Sequence, residues 1–263
     1  MPRPIWSGAI SFGLVNVPVK LLTAVRKQDV RFHQLHAADG VRIQQRRICP
    51  EDGREVAWDD IVKGYEMTPG RYVAIRPDEL EALDPKSGRT VDIEDFVPLD
   101  QIDPLYFDTS YYLVPDPAGT KAYRLLLQAM ADAGRVGIGR VVLRTKQYLC
   151  AVRPLGDALV LTTMSFADEV QDRRELDGLP GPDVAASDRE LAMAGQLIES
   201  LAADFEPERY QDTHRRAVLE LIEAKAAGQE LHVQPEAPSA PVIDLMAALE
   251  ASLAQARAGK KAG

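Results

Sequence analysis

The 263-residue chain carries 31 Lys/Arg against 40 Asp/Glu, a formal net charge of -9, with 46% apolar and 27% charged residues. These are globular values, and the length fits one large domain or one domain plus a tail. No apolar run approaches the ~20 residues of a membrane span, and Met1–Trp6 alternates like a strand rather than opening a signal peptide. Cys49 and Cys150 are the only cysteines, which argues against a disulfide framework and makes a reducing cytoplasm the expected compartment.

The charge is unevenly spread. Residues 1–50 hold 8 Lys/Arg and 2 Asp/Glu, residues 51–120 hold 6 and 17, residues 121–160 hold 7 and 2, and residues 161–263 hold 10 and 19. Such blocks arise when one surface is reserved for a polyanion, and also from uneven spread between strand-rich and helix-rich halves.

In chain order, Ile5 to Ala24 reads as two strands turning at Gly13 and stopping near Pro18. Phe32 to Cys49 continues in extended form, with Asp39-Gly40 as a hairpin turn. The strand after it, Arg42 to Arg47, has no apolar face and is basic, as expected of an exposed arm. Asp59 to Glu66 reads as a short helix, Arg71 to Arg76 as a strand, and Pro77 opens another helix. Strands follow over Thr90–Leu99 and Leu105–Val114. A helix over Thr120–Ala133, striped by Ala122, Leu126, Ala129 and Ala133, stops at Gly134.

Arg140 to Met164 reads as three strands with turns near Gln147 and at Leu155-Gly156-Asp157. The first alternates Arg140, Val142, Arg144 and Lys146 against Val141, Leu143 and Thr145, giving one packing face and one cationic face. Past Asp168 the pattern becomes helical. Ser187 to Glu190 forms a capping box ahead of Leu191, Ala194, Ile198 and Leu201, and Pro207 starts a helix reaching Gly228. The organisation expected is a core over 1–228, a proline-containing linker over 229–241, and a short helix with a basic tail over 242–263. No internal repeat is visible.

Enzyme signatures are missing: no phosphate-binding loop, no nucleophile elbow, no zinc-protease motif. Gly137-Ile138-Gly139 mimics half a dinucleotide fingerprint but leads into a strand. Cys49 sits where a paired zinc knuckle would need a second thiol, and Asp52 stands there instead, so no metal and no cofactor are expected; His33 and His36 read as strand or loop histidines. Cys150, between Leu149 and Ala151, reads as a small buried hydrophobe. The acidic runs Asp92–Asp95 and Asp100–Asp116 suit metal-dependent hydrolysis only if they converge in a cleft; Pro98, Pro104 and Pro115 mark them as solvated turns. No catalytic activity is expected.

What remains is cation placement on strands: Lys20, Arg26, Arg31, Arg42, Arg46, Arg47, Arg140, Arg144, Lys146 and Arg153. Fixed strand spacing suits phosphates spaced regularly along a duplex. Few aromatics accompany them, and no basic helix offers base-reading side chains, so a backbone-reading nucleic-acid binder is the physical conclusion.

Seven segments carry a resemblance: Ile5–Val19, Val30–His36, Asp60–Glu66, Tyr106–Leu113, Met193–Ile198, Asp204–Tyr210 and Asp244–Leu253. They run in order across nearly the whole chain, and the sequence resembles bacterial Ku proteins of non-homologous end joining. The resemblance implies a mixed, mainly β fold: a β-barrel core, a strand-built bridge encircling duplex DNA together with that of a dimer mate, and a C-terminal helical arm. It implies a homodimer without enzymatic activity, partnered by double-stranded DNA ends and by the multifunctional end-joining ligase, in the cytoplasm at the nucleoid. The stripe Ile243, Met246, Leu249 and Leu253 becomes the candidate ligase-recruiting face. Two departures stand out. Many relatives carry two cysteines where this chain has Cys49 and Asp52, and some have long lysine-rich tails where this chain has Lys260 and Lys261.

Overall fold

The computed structural model describes residues 3–83, 89–181, 184–228 and 245–259. The linker over 229–241, Ile243 and the Lys260-Lys261 tail lie outside them. Two compact units emerge: residues 1–28 with 33–173, and residues 29–32 with 174–263.

Among the described residues the first unit contains nine strands: β1 (Trp6–Phe12), β2 (Val15–Thr23), β3 (Lys63–Thr68), β4 (Arg71–Ile75), β5 (Thr90–Pro98), β6 (Phe107–Pro115), β7 (Arg135–Leu143), β8 (Lys146–Leu155) and β9 (Ala158–Met164). Seven of them close into a barrel in the order β1-β2-β6-β9-β8-β7-β5, while β3 and β4 form a separate ribbon. Every barrel pairing is antiparallel except the seam, where Ala9, Ile10 and Ser11 of β1 run parallel to Thr90, Val91 and Asp92 of β5.

Strand alternation builds the core. Val17, Val19 and Leu21 of β2 are buried while Pro18, Lys20 and Leu22 between them are not, the period of two expected of a wall with one wet face. Ile10, Val91, Leu113, Leu159 and Leu161 join them at 0–1% exposure. Burying each such side chain stabilises the fold by ~1.5–3 kcal/mol.

Pro18 does not stop the second strand. Its carbonyl accepts a bond from Asp116 N at 2.9 Å, which places the missing N–H on the β6 side, one step beyond the last paired residue Pro115. Only one ladder bond is forfeited there.

Gly137 and Gly139 lie inside β7, where the chain crosses β5 beside an irregularity between Ile93 and Asp95. A Cβ on Gly139 would sit 2.0 Å from the Asp92 carbonyl oxygen, so close strand approach explains this glycine. β7 starts five residues earlier than the sequence suggests, and its alternation ends sooner. Leu143 pairs with Lys146, so Arg144 and Thr145 form the two-residue turn and Lys146 opens β8.

Between β2 and β5 the short α1 (Pro77–Leu83) follows the ribbon, and α2 (Thr120–Ala133) follows β6, ending on Gly134 at φ +61°. The buried stripe of α2 is Tyr123, Leu126 and Met130; of the stripe expected from sequence only Leu126 is in it, because the larger side chains take the core side. The Tyr123 hydroxyl donates to Leu113 O at 2.7 Å and accepts from Leu159 N at 2.6 Å, linking two residues that face each other across β6 and β9. Burial raises its pKa above the ordinary tyrosine value.

Other expectations give way to local chemistry. Asp59–Glu66 is not a helix: a single 3-10 turn spans Trp58–Asp60 and β3 begins at Lys63. β-Branched Ile61 and Val62, with Gly64 behind them, disfavour a helix there. Leu105 belongs to a 3-10 turn capped by Asp103, so β6 starts at Phe107.

The second unit holds α3 (Asp188–Leu201), α4 (Thr213–Ala226) and α5 (Leu245–Gly259). The Ser187 capping box forms, with Glu190 N donating to Ser187 Oγ and Ser187 N donating to Glu190 Oε2 at 2.7 Å. Pro207 opens only a 3-10 turn, and α4 starts afresh at Thr213, where Asp212 accepts from Arg215 N at 2.8 Å. α5 packs on α3, burying Leu253 and pairing Arg189 with Glu250 at 3.7 Å.

Replacing Tyr123 with Phe should lower stability by about 1–3 kcal/mol, because two buried backbone groups lose their partner. A urea midpoint equal to that of the parent protein would contradict this role.

Candidate nucleic-acid interface

Residues 24–28 and 33–83 of the first unit form an insertion in the barrel wall. They leave after β2 and return at β5, the two strands that flank β1. Leu21 lies opposite Trp6, and Thr90 lies beside Ala9, so departure and return both occur at the barrel mouth where β1 begins.

The insertion opens with two small hairpins rather than the continuous strands expected. The first turns at Asp39-Gly40, with Gly40 at φ +70° and Val41 N bonded to Asp39 Oδ1 at 3.0 Å; its only bridge is Leu35 with Arg42. The second, missed in the sequence, turns through Cys49–Gly53, with Gly53 at φ +71° and a bridge between Ile48 and Glu55. Asp52 and Gly53 were the readable signal, since Asp52 Oδ1 accepts from Arg54 N at 3.1 Å. The run 42–47 forms no ladder because it has no apolar face to bury.

The hairpins position three of the ten cations. Arg46 reaches Glu55 at 3.3 Å, and the Arg47 guanidinium stacks 4.2 Å from the Trp58 ring centroid. Arg42 is exposed, with no ion pair among the described residues.

The remaining cations are dispersed. Arg140 on β7 donates to Glu94 on β5 at 2.6 Å, Lys20 pairs with Asp116 at 3.1 Å, and Lys146 lies 4.0 Å from Glu169 and over the Tyr148 ring. Arg153 lines a pocket with Asp100, Asp108, Ser110 and Thr162. Arg26 follows β2, and Arg31 belongs to the second unit. The cationic face read into Arg140, Arg144 and Lys146 is therefore split across a strand, a turn and the next strand, and acids neutralise part of it.

Arg144 occupies the β7–β8 turn at φ +60°, the one non-glycine with positive φ among the described residues. With Arg89, which immediately precedes β5, and Pro4, Ile5, Trp6, Ser7 and Val142, it lines a cavity of about 500 Å³ at the mouth where the insertion is rooted. Arg89 was not distinguishable in sequence, since an isolated arginine beside a strand has no periodic signature.

The acidic runs do not converge. Glu94 and Asp116 hold cations, Asp103 caps a turn, and Asp92 accepts from Thr90 Oγ1 at 3.0 Å. Among the described residues no three His, Cys, Asp or Glu side chains are grouped to hold a metal; His36 pairs with Asp39 at 3.0 Å. No helix of the described residues is long and apolar enough to cross a membrane.

Large apolar side chains are exposed in both units. Tyr65, Met67 and Tyr72 on the β3–β4 ribbon are each 62% exposed, and every β3 residue is exposed. In the second unit Leu191, Ile198 and Leu201 of α3 stand out, as do Phe205 and Tyr210, whose rings stack at 5.7 Å.

Cys150 is fully buried, and burial pushes its thiol up to about 12, whereas Cys49 in the second hairpin is partly exposed. A thiol protonated throughout the physiological range is inert. Iodoacetamide at pH 8 should label Cys49 and spare Cys150 until the protein is denatured; native labelling of both, read by peptide mass, would contradict the packed barrel.

The fold also has relatives. The family described as "Ku70/Ku80 beta-barrel domain" matches residues 11–193. The chain is 56% identical over 259 residues to "Non-homologous end joining protein Ku" of Anaeromyxobacter sp. (strain K), covering 98% of this chain and 87% of that protein. Proteins of the same name from Heliobacterium modesticaldum and Opitutus terrae are 45% and 43% identical, each across 98% of this chain and 94% of their own length. A closed barrel with its exposed insertion, and identity of this extent, place the chain in the Ku family.

Proposed function

We propose that the chain binds double-stranded DNA ends, independently of sequence, as a ring-shaped homodimer acting in non-homologous end joining without catalysis of its own. The observation that carries this reading is the β3–β4 ribbon: a two-stranded ladder with its large apolar residues exposed and no third strand among the described residues. Isolated two-stranded ribbons are marginal in water, and exposed apolar surface of this kind marks an interaction site. A second copy of the chain supplies the missing cover, and the two insertions then enclose a duplex. The name shared by the relatives supports the end-joining role.

The hairpin cations Arg42, Arg46 and Arg47 suit phosphate contacts from the insertion. The arginine over Trp58 and the one beside Glu55 are oriented by those neighbours rather than free to sweep. A ring explains how a protein of net charge -9 binds DNA: its cations act on an enclosed duplex, while acids elsewhere repel side-on contacts.

The expected behaviour is tight binding to linear duplexes and little to covalently closed circles; equal affinity for both topologies excludes the ring. Neutralising ~6–10 phosphates per dimer predicts a ~10³–10⁵-fold loss of affinity between 50 and 200 mM salt. Sedimentation at micromolar concentration should give a dimer, and a monomer there removes the proposal.

The ligase is recruited, in this reading, by the C-terminal helix. Met246, Leu249 and Leu253 all fall within α5, and Leu253 is buried as α5 packs on α3, so the surface offered is the α3–α5 pair rather than a bare helix. Deleting residues 242–263 should leave end binding intact and lower ligase stimulation; undiminished stimulation would place recruitment in the barrel unit.

A further inference from the structure

The cavity at the barrel mouth is lined by two arginines at once. Arg140, Lys20, Arg46 and Lys146 each face a carboxylate, whereas neither Arg89 nor Arg144 has an ion pair among the described residues. Two guanidiniums opening into one cavity repel each other unless an anion lies between them.

Both arginines are held in place by backbone. The Arg89 carbonyl accepts from Ala9 N at 2.8 Å, and it lies so close to Gly8 that a Cβ there would sit 2.1 Å from it. Arg144 stands at φ +60° in a two-residue hairpin, a position that favours glycine. Strain of this kind persists where the side chain has a use that glycine cannot serve.

Half-buried Trp6 also lines the cavity; its ring is seated over Gly8 and packs against the barrel core, and Ile5, Pro4 and Val142 complete the lining. Planar forks suit the several oxygens of a phosphate, and a flat apolar wall suits the ring system next to it.

From this arrangement we infer a nucleotide-binding subsite at the root of the insertion. Arg89 and Arg144 hold a phosphate monoester, and Trp6 covers the attached nucleoside. The same chemistry is offered by the phosphorylated terminus of a DNA strand and by a free mononucleotide. The first source rests on the reading that the chain binds DNA ends, while the pocket itself does not.

The test uses the full chain carrying Trp58→Phe, which leaves Trp6 as the sole tryptophan. Thymidine 5′-monophosphate and thymidine are titrated by Trp6 emission and by calorimetry. Duplexes with 5′-phosphate or 5′-hydroxyl overhangs of one sequence are compared in parallel. Phosphate should improve affinity about tenfold or more in at least one arm, as charge-assisted hydrogen bonds do. Preference in the duplex arm identifies the strand terminus; preference confined to the mononucleotide arm identifies the free nucleotide.

Arg89→Gln and Arg144→Gly should each erase that preference. Arg144→Gly should at the same time raise the urea midpoint, because glycine suits φ +60°, so the loss cannot come from unfolding. The inference falls if neither arm prefers phosphate, or if the preference survives both substitutions. An end-preferring protein that ignores phosphate keeps the proposed ring and loses this pocket.

Discussion

The structure depends on the seam between β1 and β5. Three residues of each strand run parallel there, and this short contact converts a seven-stranded antiparallel sheet into a closed barrel with no free edge. The seam is possible because backbones approach closely on both sides of it. Gly8 accommodates the Arg89 carbonyl, and Gly139 accommodates the Asp92 carbonyl where β7 crosses β5. Side chains at these glycines would push β5 away from its neighbours, and the point of return of the insertion would move with it.

Closure fixes where the functional parts stand. The insertion is rooted on two strands separated only by β1, some 10 Å apart at the ~4.8 Å spacing of neighbouring strands. The insertion is thereby anchored at one barrel mouth, while its ribbon and hairpins stay exposed. In the first unit α2 is fastened to the barrel by Tyr123, whereas the ribbon and hairpins of the insertion keep large side chains exposed.

The electrostatics follow from the same topology. Acids of the negative block 51–120 fold back onto cations of the flanking positive blocks: Glu55 onto Arg46, Glu94 onto Arg140, Asp116 onto Lys20. These pairs are exposed, so each adds at most ~1 kcal/mol to stability and remains open to exchange for a phosphate. Arg42, Arg89 and Arg144 are among the cations without an acid partner among the described residues.

The sequence by itself determined the barrel strands, α2 with its glycine stop, the capping box of α3, the buried inert Cys150 and the family, since these rest on local periodicity, turn chemistry and ordered motifs. Asp59–Glu66 reads as a helix although Ile61, Val62 and Gly64 argue locally against one, and the sequence could not show that the run 42–47 makes only isolated contacts, such as the Leu35–Arg42 bridge, instead of a ladder. Nor could it sort the ten cations. Whether an arginine meets an acid is decided by strand register, which pairs residues as distant as Glu94 and Arg140. The Arg89–Arg144 pocket likewise exists only because barrel closure brings a loop end, a strand start and a hairpin turn to one mouth. Tertiary structure alone decided that, since the contacts are long-range and no local pattern encodes them.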